Sequence, residues 1–528
     1  MSKPPARAGR NLLSNWTGLF LGIVISFFLS PYVVNKLGDA YYGLWAVLMQ
    51  FTGYLNLLDF GVREAVIRNA SRANAKHAER KLNRVYSVSL GLYSVIGLLC
   101  VLASLIPAFG LEHWITVDPA KLREAQIAIV LSGATIGLSF VFNLYSGILA
   151  GFQRFDLTNT VTIPFQLIRA AAVVITLGAG YKIAALALVQ LCVTIASGLT
   201  LVIMCHIQLR KFGMNLHLLG LPFRRTVALA KKLLGYSVQV LISNIGQRIT
   251  FASDALIVAT FLPVTAVTYY AIAGSLIDYF RNFAVSTVQI FNPMASHHHA
   301  LRQQDRIRGT LLSSTTLVQV LGAPILLAYM IFGEQFIGLW MGERFADASG
   351  AVLLALGVGM LLSPAHHAMT AVLYGLGQPH IVARCRVAEA VANLSLSIIL
   401  VQKMGLIGVA LGTTIPHLLL TGLLLPWYAC KASGLGFGEF YLKVVGRCVL
   451  VSTPFLIGAL LLNHYVRFPN LAVLFLTIGA LTAVHLLTFM LMYFGIDGLR
   501  KPGPRLNALL HGDFWNEGSE AAKKPAAA

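Results

Sequence analysis

The stretch Ile183-Ala-Ala-Leu-Ala-Leu-Val-Gln-Leu-Cys-Val-Thr-Ile-Ala-Ser-Gly-Leu-Thr-Leu-Val-Ile-Met-Cys-His206 holds no charged residue. A helix needs roughly 20 apolar residues to cross a hydrocarbon core about 30 Å thick, and this run is long enough. Lys182 precedes it and Arg210 and Lys211 follow, so charge brackets the run as it brackets a membrane span. Similar runs come before it, near 12–34, 41–62, 85–109, 125–149 and 159–179. Others follow, near 236–261, 267–291, 311–333, 351–374, 387–402, 407–429, 444–464 and 471–494. The expectation is an all-α polytopic membrane protein of about 14 transmembrane helices.

Composition agrees. The 528 residues are 57% hydrophobic and only 11% charged, where a soluble chain carries about 25% charged residues. The net charge of +20 follows topology and does not mark a nucleic-acid binder. Among the 40 lysines and arginines, only Lys36, Lys121, Arg123, Lys182, Arg344, Lys403 and Arg467 fall in outward loops. Arg169, Arg248 and Arg281 fall within spans, and all the others face inward. That bias puts both termini in the cytoplasm of a cell with an inner membrane. The N-terminal basic residues and apolar run resemble a signal peptide, but the run is long and contains Pro31, so it reads as an uncleaved first span. The six cysteines have no paired spacing and read as apolar fillers, neither disulfides nor metal ligands.

The chain repeats itself. Ile148-Leu-Ala-Gly-Phe-Gln-Arg lies 224 residues before Val372-Leu-Tyr-Gly-Leu-Gly-Gln. The same shift carries Tyr181-Lys-Ile-Ala-Ala-Leu-Ala-Leu onto Gly405-Leu-Ile-Gly-Val-Ala-Leu-Gly. An even number of spans separates the copies, so the repeat is parallel. The expected organisation is an N-lobe of six spans (1–209), an inner-surface amphipathic linker (210–235), a C-lobe of six spans (236–430), two extra C-terminal helices (431–498) and a disordered cytoplasmic tail (499–528). Two such lobes, facing one another, would enclose a cavity and rock about it. In the first span, Ser14, Gly18, Gly22, Ser26 and Ser30 recur every four residues, a small-residue stripe for close helix packing.

The chemistry lies in charges within the spans. A central arginine costs about 2.5–3.5 kcal/mol on insertion scales, so three cannot face lipid without compensation. Arg169, Arg248 and Arg281 must meet a wet cavity or pair with acids. Guanidinium is a planar, permanent cation suited to phosphate, and three together point to an anionic ligand such as a pyrophosphate. Ser243, Gln247, Thr250 and Asp254 share one helix face in the seventh span, flanked by Asn244 and Arg248. Asp278, Asn282, Ser286 and Gln289 form a second polar stripe beside Arg281, and Thr162, Gln166 and Arg169 a third. The substrate-binding candidates are therefore Arg169, Arg248, Arg281, Asn244 and Gln247. The competing reading is structural ion pairing, Asp278 with Arg281 or Asp254 with Arg248.

Gating or ion-coupling candidates are Asp59, Arg63, Asp254, Asp278 and Glu389. Asp59 either pairs with Arg63 at the inward mouth or caps a solvated helix end. Glu389 is either a proton or sodium site or a residue reaching headgroup water. His297, His298 and His299 read as a surface run, and His366, His367, His417 and His485 as hydrogen-bonded core. There is no Gly-Lys-Ser/Thr phosphate loop, no Gly-x-Ser-x-Gly and no His-Glu-x-x-His. No cofactor, metal or enzymatic activity is expected.

Five motifs carry a family resemblance: Tyr42-Gly-Leu-Trp, Leu58-Asp-Phe-Gly, Gly151-Phe-Gln-Arg-Phe, Ser253-Asp-Ala-Leu-Ile-Val and Gly375-Leu-Gly-Gln-Pro. In these the chain resembles the polysaccharide-type (O-antigen or exopolysaccharide) flippases of the multidrug/oligosaccharidyl-lipid/polysaccharide exporter superfamily. The resemblance implies two six-helix lobes in a V, a basic central cavity, and export of an undecaprenyl-pyrophosphate-linked oligosaccharide to the periplasmic leaflet. It implies lipid-linked saccharide, membrane lipids and polysaccharide polymerase or assembly proteins as partners, and no nucleic acid. Three other readings compete. A cation-coupled multidrug antiporter of the same superfamily would have acids dominating its cavity. A scaffold would not transport. A membrane glycosyltransferase would need an acidic site on longer loops.

Overall fold

The computed structural model describes residues 4–55, 58, 62–75, 78–114, 119–152, 154–220, 222–234, 246, 250, 253–288, 291, 295, 298–299, 302–361 and 363–500. Among them every regular element is helical. Lipid offers backbone groups no hydrogen-bond partner, so a spanning chain must satisfy them within each segment, as a helix does. The order is α1 (Pro4–Leu37), α2 (Asp39–Leu55), α3 (Val62–Ala75), α4 (Glu79–Trp114), α5 (Pro119–Gly151), α6 (Phe155–Gly178), α7 (Ile183–Lys211) and α8 (Phe223–Leu234). Then come α9 (Val264–Val288), α10 (Gln304–Met341), α11 (Ala346–Met360), α12 (Ser363–Gly375), α13 (Pro379–Pro416), α14 (Leu425–Ser433), the short α15 (Phe437–Phe440), α16 (Arg447–Tyr465) and α17 (Leu471–Arg500). Wider π turns join α13 to α14 and α15 to α16.

Eight helical runs among the described residues are long and apolar enough to cross a membrane, nine if the bent pair Glu343–Met360 and Ala365–Gly375 counts as one span. The run Pro379–Ser433 covers two expected spans, and most of 236–261 lies outside the described residues. Exposure is inverted relative to a soluble protein. Val95, Leu98, Leu99, Leu102, Ile106 and Phe109 stand exposed on α4, a stripe made for lipid tails.

The chain divides into two compact units, one of residues 1–244 with 262–268 and one of 245–261 with 269–528. In the first, α4 and α5 pack closely around glycine. A Cβ on Gly97 would sit 2.7 Å from the Gly137 carbonyl oxygen, and one on Gly137 2.6 Å from that of Gly97. Tyr93 stacks on Phe140 beside this contact, and the Tyr86 and Tyr145 hydroxyls meet at 3.0 Å. Helix α8 lays Leu229 and Ala230 against Val88 of α4. In the second unit, Ile307, Leu311, Met369, Val372, Val382, Leu425 and Phe440 form the main core. His485 of α17 bonds to the Val320 carbonyl of α10 at 2.9 Å.

Element boundaries keep the 224-residue offset read from the sequence. Helix α5 ends at Gly151 and α12 at Gly375, and α6 starts at Phe155 and α13 at Pro379. The counterpart of the α6–α7 turn is a kink at Gly405, whose φ of 59° is left-handed backbone that suits a residue without Cβ.

Candidate functional site

In the second unit, α13 carries Arg386, Glu389, Asn393 and Ser397 at spacings of three and four, one helical face. Pro379 occupies the first turn, where its missing N–H costs nothing, so Arg386 lies two turns inside the helix. All four residues are buried, Arg386 to 4% exposure and Glu389 to 0%. Arg386 donates through Nη1 to Glu389 Oε2 at 3.1 Å and through Nη2 to His366 Nε2 at 2.8 Å. His417 donates from Nδ1 to Glu389 Oε1 at 2.5 Å, and Thr421 Oγ1 donates to Oε2 at 2.7 Å. His417 and Thr421 stand in the π turn after α13, and turns of that kind recur at functional sites. Both oxygens of the Glu389 carboxylate are therefore engaged, and its charge is offset.

One turn along α13 a second buried cluster forms. Tyr270 and Thr413 donate to Asp254 Oδ2 at 2.6 and 2.8 Å, and Asn393 Nδ2 donates to Thr413 Oγ1 at 2.8 Å. Asp254 is 3% exposed, and its Oδ2 takes both of these bonds from hydroxyls.

The first unit holds a cavity of about 180 Å³ between α6 and α7, lined by Thr162, Gln166, Arg169, Gln190, Thr194 and Ser197 with Phe165 and Val193. Among the described residues Arg169 has no ion-pair or hydrogen-bond partner. Gln166 Oε1 is buried without one. The Thr162 hydroxyl donates to the Thr158 carbonyl at 3.1 Å and that of Ser197 to the Thr194 carbonyl at 3.2 Å.

Of the candidates read from the sequence, Arg169, Asp254 and Glu389 fall in these sites. Arg281 pairs with Asp278 at 2.5 Å, one turn apart on α9, with Asp278 55% exposed. That is the structural pairing weighed against substrate binding. Asp254 has Tyr270 and Thr413 where Arg248 was considered. Glu389 does not reach headgroup water, because helix packing seals it. Arg63 sits half-buried on α3 beside Gly147. Asp59, Asn244, Gln247 and Arg248 lie outside the described residues. Sequence reasoning missed Arg386, counting it as an inward loop charge because the span was started at 387. The signal was Pro379 at a helix start followed by an i,i+3 Arg–Glu pair, which extends the helix upstream and supplies its charge with a partner.

A sequence profile of a family described as "polysaccharide biosynthesis protein" matches residues 8–299. A putative O-antigen transporter of Shigella flexneri is 21% identical over 421 residues, 79% of this chain and 96% of that one. A probable low-salt glycan biosynthesis flippase of Haloferax volcanii is 27% identical over 223 residues, 42% of this chain and 46% of its own. Among solved structures, the lipid II flippase MurJ in an inward closed conformation superposes with a TM-score of 0.68 at 14% identity, over 91% of this chain and 98% of that one. An inward-facing multidrug resistance transporter of the MATE family superposes with a TM-score of 0.64 at 15% identity, over 80% and 98%. At such identities the likeness shows a shared fold.

Proposed function

The chain belongs to the polysaccharide biosynthesis protein family, and from that membership we propose that it is a flippase for a lipid-linked saccharide and not an enzyme. Its relatives are named as a transporter and a flippase of surface glycans, and one structural neighbour as a flippase of lipid II. The finer reading is transfer of an undecaprenyl-pyrophosphate-linked oligosaccharide from the cytoplasmic to the periplasmic leaflet of the inner membrane, both termini being cytoplasmic. The excess of Lys and Arg in inward loops supports that orientation. Fold neighbours described as inward-facing and outward-facing support alternating access.

One observation carries the reading. Arg169 stands two-thirds of the way along α6 in a polar cavity, with no acidic partner among the described residues. A half-buried cation within a span, with no counter-ion among the described residues, is costly and marks a ligand path in a membrane protein. An anionic headgroup supplies the missing charge during passage. The other proposed contacts are Arg248, Asn244 and Gln247. Arg281 is a weaker candidate, because Asp278 already holds it.

The acids divide by partner. Glu389 is neutralised by Arg386 and hydrogen-bonded by His417 and Thr421, whereas Asp254 meets hydroxyls. Asp254 is therefore the better place for a coupling proton or cation, and Glu389 a structural centre. Asp59 with Arg63 remains a proposal for the inward gate.

The test is reconstitution in proteoliposomes with a fluorescent polyprenyl-pyrophosphate-linked saccharide. Wild-type protein should move it between leaflets, and Arg169→Ala should slow transfer at least tenfold. Equal transfer by protein-free vesicles would sink the flippase reading.

A further inference from the structure

Between Asp156 and Asp254 the chain contains no acidic residue, and basic residues gather in that interval between Arg210 and Lys232. The segment that carries them is built onto α4. Asn215, His217 and Leu219 donate their backbone N–H groups to Glu79 Oε1, Asn83 Oδ1 and Ser87 Oγ at 3.4, 3.1 and 2.8 Å. Asn83 Nδ2 donates back to the Asn215 carbonyl at 3.0 Å. Two residues of extended chain advance about 6.6 Å and four residues of helix about 6 Å, so alternate N–H groups of this strap meet side chains four apart on the helix. Met214 anchors the strap in the core of the first unit at 2% exposure. Helix α8 follows and lays Leu229 and Ala230 against Val88. A basic linker is thereby fixed in place as a surface.

The charge on that surface is one-sided. In α8, Arg224, Arg225, Lys231 and Lys232 recur at the spacing of one helix face, and Thr226, Val227, Leu229, Ala230, Leu233 and Leu234 at that of the other. Arg224 and Lys231 are exposed, while Leu229 and Ala230 turn to α4. Lys81 and Arg84 lie seven and four residues before Val88, on the face of α4 that α8 covers, and both are exposed. Glu79, the acid on this part of α4, is taken up by the strap.

Position tells what the surface faces. The same face of α4 runs on from Arg84 and Val88 to Val95, Leu98, Leu102, Ile106 and Phe109, the exposed stripe that meets lipid tails. Val88 precedes Val95 by seven residues, about 10 Å along the helix. Headgroups fill about 5–8 Å beyond each side of the hydrocarbon core, so α8 lies at their level. Leu218, one residue from the bond to Ser87, is 67% exposed and adds an apolar side chain there. An amphipathic helix with Lys and Arg on its polar face suits a bilayer interface, and anionic headgroups complement its charge. A nucleic acid or an acidic protein would match the charge but neither Leu218 nor the adjoining stripe.

We propose that α8 and the first turns of α4 form a docking surface for anionic phospholipids. Headgroup phosphates meet Lys81, Arg84, Arg224, Arg225, Lys231 and Lys232, and the tails lie along the α4 stripe. The surface is on other helices than the cavity of Arg169 and does not depend on the flippase reading.

Full-length protein in detergent is titrated with phosphatidylglycerol and with phosphatidylcholine of the same chains, and bound lipids are counted by native mass spectrometry. Each basic residue near an anionic surface contributes about fivefold in affinity, so phosphatidylglycerol should bind at least tenfold more tightly. The combined variant Arg224→Gln, Arg225→Gln, Lys231→Gln and Lys232→Gln should bring the two lipids within twofold of each other. Lys403→Gln with Arg467→Gln removes as much charge per site elsewhere and should keep the preference, as should Arg169→Gln. Thermal unfolding shows whether each variant is folded, and the wild-type comparison needs no variant. Equal binding of the two lipids by wild type overturns the proposal, and a DNA oligonucleotide binding in that case would mark a surface for soluble polyanions. A folded α8 variant that still prefers phosphatidylglycerol overturns it too. Loss of the preference in Arg169→Gln but not in the α8 variant would place the lipid on the substrate path and likewise overturn it.

Discussion

At the residue scale, the question about each buried charge is what offsets it. Arg386 and Glu389 are an ion pair at 3.1 Å, at 4% and 0% exposure, with His366, His417 and Thr421 completing their bonds. Removing one partner of such a pair leaves an uncompensated charge and costs about 3–5 kcal/mol, while replacing both with apolar side chains costs much less. Glu389→Gln and Arg386→Met should each lower thermal stability sharply, and the double variant Arg386→Met with Glu389→Leu should recover part of the loss. Additive losses in unfolding measurements would show that the two side chains are not coupled. Arg169 should behave in the opposite sense. With no described counter-ion, Arg169→Leu should leave stability unchanged or raise it, while transfer of a lipid-linked saccharide falls at least tenfold. That split between stability and activity separates a ligand cation from a structural one.

At the element scale, the close approach of α4 and α5 depends on two hydrogens. Each of Gly97 and Gly137 places its carbonyl where the other's side chain would be. Small residues let membrane helices pack this way, since the gain comes from van der Waals contact and not from leaving water. Gly97→Leu should force the helices apart and destabilise by at least the roughly 1–3 kcal/mol typical of overpacking, read as a lower unfolding temperature in detergent. Gly91, with nothing within 4 Å, is the control, and Gly91→Ala should be tolerated. The sequence announced the α6–α7 and α13 boundaries through the repeat, because turn residues such as Gly180 and Gly405 punctuate a hydrophobic pattern. It misplaced the start of α13, because hydropathy discounts a helical turn that contains Arg386 and Glu389, although their pairing makes that turn buried.

At the scale of the whole molecule, topology and driving force become testable. In a cysteine-free background, Lys36→Cys should react with a membrane-impermeant maleimide added outside the cell, and Arg210→Cys only after permeabilisation. The reverse pattern would refute the inward placement of both termini. A pyrophosphate-bearing substrate moving outward carries negative charge toward the positive side, worth about 2.3 kcal/mol per charge per 100 mV. Collapsing the membrane potential should therefore slow export of a charged lipid-linked saccharide and leave a neutral lipid analogue unaffected.

The sequence by itself determined that this is a polytopic helical membrane protein and that it repeats at an offset of 224 residues, and its basic loops supply the orientation that the labelling experiment tests. Those properties are local or additive along the chain: a run is apolar or not, a loop is basic or not, and a spacing recurs. Only the tertiary structure decided which buried charges are satisfied. Glu389 meets His417 and Thr421, 28 and 32 residues away, and Asp254 meets Thr413, 159 residues away. Arg281 finds Asp278 on its own helix, and Arg169 finds no acid among the described residues. A pair three residues apart on one helix can be read in a sequence window, but the contacts of Glu389 with His417 and Thr421 and of Asp254 with Thr413 depend on which side chains converge after packing, and no window contains that information.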